Sequence, residues 1–168
     1  MRGRNCCLQW VRVALFTLLT HVLLGVRLAA ASSVVIRLPR GVAERLRREA
    51  EKAGLGLEEY VIELLLSYLD PGERVKEYLE ASRSLLRRVR EELERGDVRQ
   101  AAEKLWGAAA LTVKAYAEWR DGRRLTSHGE LWVYKRRMEE ELGEWVGDSW
   151  GRAVEMHVCF YEGWCSKE

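Results

Sequence analysis

The chain has 168 residues, 48% of them hydrophobic and 32% charged, which is enough for one compact domain with a core and an appendage. Its formal charge of +2 is lopsided, because residues 1–33 carry Arg2, Arg4, Arg12 and Arg27 and no acid. The remainder therefore holds 24 basic against 26 acidic side chains, a balance that argues against a general nucleic-acid binder, whose phosphate contacts need clustered Lys and Arg. One asparagine, two glutamines and many charges form a thermophile-like composition, and a GC-rich genome would favour arginine in the same way.

In chain order, the first feature is "VALFTLLTHVLLGV", residues 13–26, an apolar run between Arg12 and Arg27. It is short for a bilayer span of roughly 20 residues. Three readings fit residues 1–33. Translation starts near Val34 or Val35 and the protein is cytoplasmic; or a secretory signal is cut near Ala31; or the run is a membrane anchor. No membrane partner is expected for residues 34–168. Cys159 and Cys165 stand six apart on a predicted helix, a rise of roughly 9 Å, which puts them beyond disulfide reach. No Cys/His spacing fits a metal, and no cofactor is implied.

Residues 34–70 read as strand, helix, turn, helix. "VVIRL" is short and β-branched. "GVAERLRREAEKAG" sets Val42, Leu46 and Ala50 at helical spacing and stops at Ala53-Gly54. The next helix carries Leu57, Val61, Leu64, Leu65 and Tyr68 on one side, and Pro71 breaks the chain. With "IRLP" and "GLGLEEYV", this order resembles a ribbon-helix-helix module, in which two chains pair strands into a ribbon for the DNA major groove. The resemblance implies dimerisation, with Arg37 as the base-reading candidate. The turn that would hold a phosphate has Gly56 where a hydroxyl residue is usual, followed by Glu58 and Glu59, which repel phosphate.

Residues 71–168 predict four helices, an all-α antiparallel bundle. The first, about 72–95, repeats Val75, Leu79, Ser82, Leu86, Val89 and Leu93, with Arg83, Arg87 and Arg90 on another, solvated face. Gly96 stops it and Asp97 caps the next, about 98–120. The small residues of "AAEKLWGAAALTVKAYAEW" let neighbours approach, so this helix should be central. Ser127 and Glu130 form a capping box for a third helix that turns Leu131, Tyr134, Met138 and Leu142 inward. "GEWVGD" reads as a loop, and Asp148 or Ser149 as the cap of the last helix.

The run from "DPGERVKEYLEASRSLL" to "LTSHGELW", with the later "AVEMHVCFYEGW", resembles the archaeal PaREP family, first subgroup, a relative of the HEPN helical bundles. "AAEKLWGAAALTVKA…LTSHGEL" is similar to the HEPN pattern of a helix with a central lysine, here Lys114, before a histidine at the next helix start, here His128. What this resemblance implies is a homodimer and either a nucleotide-binding role or a nucleotidyltransferase-like partner protein. It also implies an alternative, a metal-independent ribonuclease of toxin type. Such enzymes carry an arginine and a histidine four to six residues apart on the last helix.

That spacing occurs twice, as Arg123 with His128 and as Arg152 with His157. The first pair lies at a loop and helix start, so Lys114, Arg123 and His128 are ligand-contact candidates only. The second lies on the correct helix, with Tyr161 to assist: His157 would take the ribose hydroxyl proton and Arg152 would steady the phosphorane charge. Against it, Ala153 follows the arginine where a polar residue is usual. Five residues turn about 140° around a helix, so the pair does not share a face. Residues 143–168 also carry five acids against two bases. Trp150, Ala153, Val154, His157, Tyr161 and Trp164 form one stripe, on which the histidine packs inward. A non-catalytic binding or assembly module is therefore the favoured reading, with the ribonuclease and a DNA-binding regulator as alternatives.

Overall fold

The computed structural model describes residues 35–164. These form six helices: α1 (Arg40–Ala53), α2 (Leu57–Leu66), α3 (Pro71–Arg95), α4 (Val98–Asp121), α5 (His128–Leu142) and α6 (Trp145–Glu162). The fold is mainly all-α, as expected. Residues 1–33, with every reading placed on them, lie outside the described residues. The strand expected at the start of the body is not formed, since residues 35–39 carry no regular structure; a ribbon strand needs a second strand to take its hydrogen bonds, and these described residues include none. Among the described residues no helix is long and apolar enough to cross a membrane.

The caps explain the helix limits. Asp70 and Asp97 accept from the backbone N–H of Glu73 and Gln100, and Pro71 opens α3 at a position that has no N–H to lose. Ser127 caps α5 through the Glu130 N–H, while the Glu130 carboxylate returns to the Thr126 N–H at 2.8 Å. The last helix starts earlier than its sequence predicts. It begins at Trp145 rather than beside Asp148, because the chain reverses within two residues, Gly143 and Glu144, and Val146 enters the core.

α4 is the centre, with buried residues on nearly all of its faces. α3 lies antiparallel along it, since Arg74 meets Glu118 and Ser82 meets Ala108. α6 is antiparallel on another side, with Arg99 bonded to Phe160 and Trp106 stacked on His157. α5 is antiparallel to α6, from His128 against His157 to Trp132 against Trp150. Against α4 it runs in the same sense, from His128 at Trp106 to Glu141 at Tyr116 and Arg120. The intervening segment, residues 122–127, buries Leu125 on its way back.

The structure decides which side of α2 faces inward, and it departs from the sequence expectation at Leu142. α2 turns Leu64, Leu65 and Tyr68 to solvent, Tyr68 at 84% exposure, and buries Glu59, Glu63 and Leu66. The cause is Lys114 on α4, only 2% exposed, which sits 3.0 Å from Glu59 and 3.1 Å from Glu63. Burial opposes the charge on Lys114, but the two carboxylates outweigh it and raise its pKa. Leu142 stays half-exposed at the end of α5. Cys159 is disulfide-bonded; the other three cysteines, including the Cys165 of the sequence expectation, lie outside the described residues.

Replacing Lys114 by Met leaves two buried carboxylates without their cation. We expect a loss of about 3–5 kcal/mol in urea denaturation, partly restored by adding Glu59→Gln and Glu63→Gln.

Candidate functional site

The two histidines that the sequence assigned to separate pairs stand together. His128 opens α5 and His157 lies three turns into α6, and antiparallel packing brings their ring centroids to 5.1 Å, nearly perpendicular. Trp106 of α4 fills the corner between them, 5.4 Å from His128 and 4.4 Å from His157. Tyr161, one turn after His157, closes the group with its ring at 4.9 Å. Trp150 lies 5.1 Å from Trp106 on the other side. The result is an aromatic cluster with two imidazoles inside it.

The α1–α2 turn covers this cluster. Gly54 ends α1 at φ +67, a conformation other residues rarely adopt, and a Cβ there would touch His128 at 3.6 Å. Beside Gly56 the approach is close: a Cβ would lie 2.6 Å from a Glu103 carboxylate oxygen, the far end of a flexible side chain that can move aside. Glu103 therefore occupies the N-terminus of α2, where the ribbon-helix-helix resemblance would place a phosphate. Glu58 is engaged as well, in ion pairs with Arg88 and Lys104.

Burial lowers the His157 pKa to about 4, and the neighbouring His128 adds to the effect. Burial also lowers His128; Glu59 opposes this and Lys114 reinforces it. Both rings are therefore neutral near pH 7. Burial raises the Tyr161 phenol, helped by Glu103, Glu59 and Glu51. A neutral imidazole can accept a proton, but one held this far below pH 7 is a weak general base. Among the described residues no group of three or more His, Cys, Asp or Glu side chains is placed to hold a metal ion.

The other sequence candidates are dispersed. Lys114 is committed to Glu59 and Glu63. Arg123 pairs with Glu130 at the start of α5. Arg37 is exposed in the irregular lead-in to α1. Arg152 lies on α6, five residues before His157, and the ring contacts of His157 are with Trp106, His128 and Tyr161.

A second feature was not anticipated from the sequence. A cleft of about 580 Å³ opens onto α4. Ala109 and Thr112 form its floor, Val75 and Leu79 of α3 one wall, and Leu142 and Trp145 at the α5–α6 junction the other. Val89 of α3 and Met156 of α6 share one core cluster, while Val75 and Val146, nearer the other ends of those helices, both line the cleft. Small side chains on α4 were visible in the sequence as a sign of close packing; on this face they leave space instead.

Residues 77–168 match the archaeal PaREP1/PaREP8 family. Neither a curated protein nor a solved structure matches the chain.

The depressed histidine pKa values set a pH dependence. The unfolded chain binds protons at these rings below about pH 6.5, whereas the folded chain does so only near pH 4 at His157. Stability contributed here is present above pH 6.5 and is lost as pH falls through that window. Thermal melts at pH 7 and pH 4.5 should show a larger drop for the wild type than for His157→Phe, and the His157 ring protons should titrate near pH 4 by NMR.

Proposed function

The chain belongs to the archaeal PaREP1/PaREP8 family, and from that premise we propose that it is a non-catalytic, HEPN-like binding and assembly module that holds its ligand or partner on the uncovered face of α4. The observation that supports this is the apolar cleft, which lies on the central helix and is walled by the three helices packed around it. Pockets of this size with apolar walls are the usual form of a ligand site.

The histidine cluster favours the same reading over a ribonuclease. His157 is stacked on Trp106 and capped by Tyr161, with its pKa near 4, while a metal-free ribonuclease needs a base that titrates near its working pH. The DNA-binding alternative is disfavoured because Glu103, Glu58 and Glu59 surround the N-terminus of α2. Dimerisation is part of the proposal. The outer face of α2 presents Leu65 at 61% exposure beside Tyr68, and the lead-in to α1 exposes Val35, Ile36 and Leu38. Two copies joined there would cover apolar surface that a monomer leaves in water.

Incubation of the purified protein with RNA in chelator separates enzyme from module. We expect no cleavage by the wild type; cleavage abolished by His157→Ala would replace this reading with the ribonuclease. Light scattering should give a dimer mass for the wild type and a monomer mass for Leu65→Glu, and an unchanged mass would place the dimer surface elsewhere.

A further inference from the structure

We propose that the cleft on α4 binds one small, uncharged, largely hydrocarbon molecule. The inference rests on the binding reading above and gives it a ligand class.

Size and shape come first. About 580 Å³ lies within the roughly 300–1,000 Å³ range of small-molecule sites. Residues of α3, α4, α5 and α6 all contribute walls, so the space is concave and not a flat helix face.

The polarity of the walls selects the chemistry. The Thr112 hydroxyl is bonded to the Ala108 carbonyl at 2.8 Å and lies 2.9 Å from the Ser82 hydroxyl. The Tyr116 phenol donates to Glu141 at 2.6 Å. The Trp145 indole donates to the Leu142 carbonyl at 2.8 Å. These groups are already paired within the protein, so a ligand's charge or strong dipole would lose water there without gaining an equivalent partner. Ser149 adds one further hydroxyl, and the buried Trp150 indole N–H, which has no hydrogen-bond partner, is the other such group among the lining residues, so the ligand can carry a polar atom but little more.

Charge at the mouth excludes an ionic head group and disfavours a protein partner. Beside Tyr116, Arg120 and Arg137 both pair with Glu141, and Arg137 pairs with Asp121, so two cations meet two carboxylates. A second copy seated over the cleft would have to bury this network and pay its desolvation. A small molecule inside the rim leaves it in water. Trp119, 68% exposed, stands at the edge and offers an aromatic face to the entering ligand.

The test is a titration of the full-length protein with N-phenyl-1-naphthylamine, a neutral apolar probe, at a concentration where light scattering fixes the oligomeric state. We expect saturable binding of one probe per chain, with quenching of tryptophan emission, since Trp119, Trp145 and Trp150 line the cleft. Val75→Trp, which fills the space from the α3 wall, should weaken binding at least tenfold while circular dichroism and melting stay unchanged. Ala109→Leu, from the floor, is the second variant and should do the same. Absence of saturable binding, or binding that neither variant alters, overturns the proposal. Probe release in step with self-association also overturns it, but shows the cleft to be a protein interface and leaves the binding and assembly reading intact. Failure of both probe binding and association removes both.

Discussion

The buried triad of Lys114, Glu59 and Glu63 fixes how the two parts of this chain meet. A lysine at the middle of an apolar helix costs several kcal/mol to desolvate unless carboxylates accompany it. Here they come from α2, so α2 cannot turn Leu64 and Leu65 inward in place of Glu59 and Glu63; the charge requirement decides which side faces the core. Glu63 extends the network to the Tyr78 hydroxyl at 3.1 Å and to Arg124 at 3.6 Å, and so joins α2 to α3 and to the segment before α5. Geometry matters in this junction: Lys114 lies close to both acids, yet only its contact with Glu59 has the direction of a hydrogen bond.

Once α2 is pinned, the positions of the imidazoles follow. The α1–α2 turn is held over His128, and α6 brings His157 to the same place from the other direction. The rings are neutral, stacked and half-buried, which suits packing more than proton transfer. Farther along α4, past Trp150, which touches Trp106 and also lines the cleft, there is no such cover. There the hollow between α3 and α6 is walled mostly by apolar side chains, and Thr112, Tyr116 and Trp145 already have hydrogen-bond partners. One central helix thus carries two differently finished faces.

Much of the helical architecture was legible in the sequence because its stop and start signals are local. Asp97 after Gly96, and Ser127 with Glu130, each act within one turn, and α3, α4 and the start of α5 fall where those residues put them. The start of α6 was misplaced, since Asp148 resembles a cap but the burial of Val146, a tertiary effect, draws the helix back to Trp145. The orientation of α2 was not legible for a similar reason. Its sequence grouped the leucines on one side without saying which way that side faces, and the deciding residue, Lys114, lies about 50 positions downstream. A lone lysine within "AAALTVKAYA" was the available clue that buried acids were required elsewhere. The pairing of His128 with His157 depends on the mutual direction of α5 and α6, which no spacing within either helix encodes.

α5 is a rod of 15 residues, about 22 Å long, with its ends in different neighbourhoods. Its first residue lies under the Gly54 turn, and its last, Leu142, forms part of the cleft wall. Because a helix resists bending over this length, a tilt imposed at one end reappears at the other. The hollow and the seat of the α1–α2 turn are thus joined by one stiff rod, which Leu131 and Tyr134 hold in the interior between them.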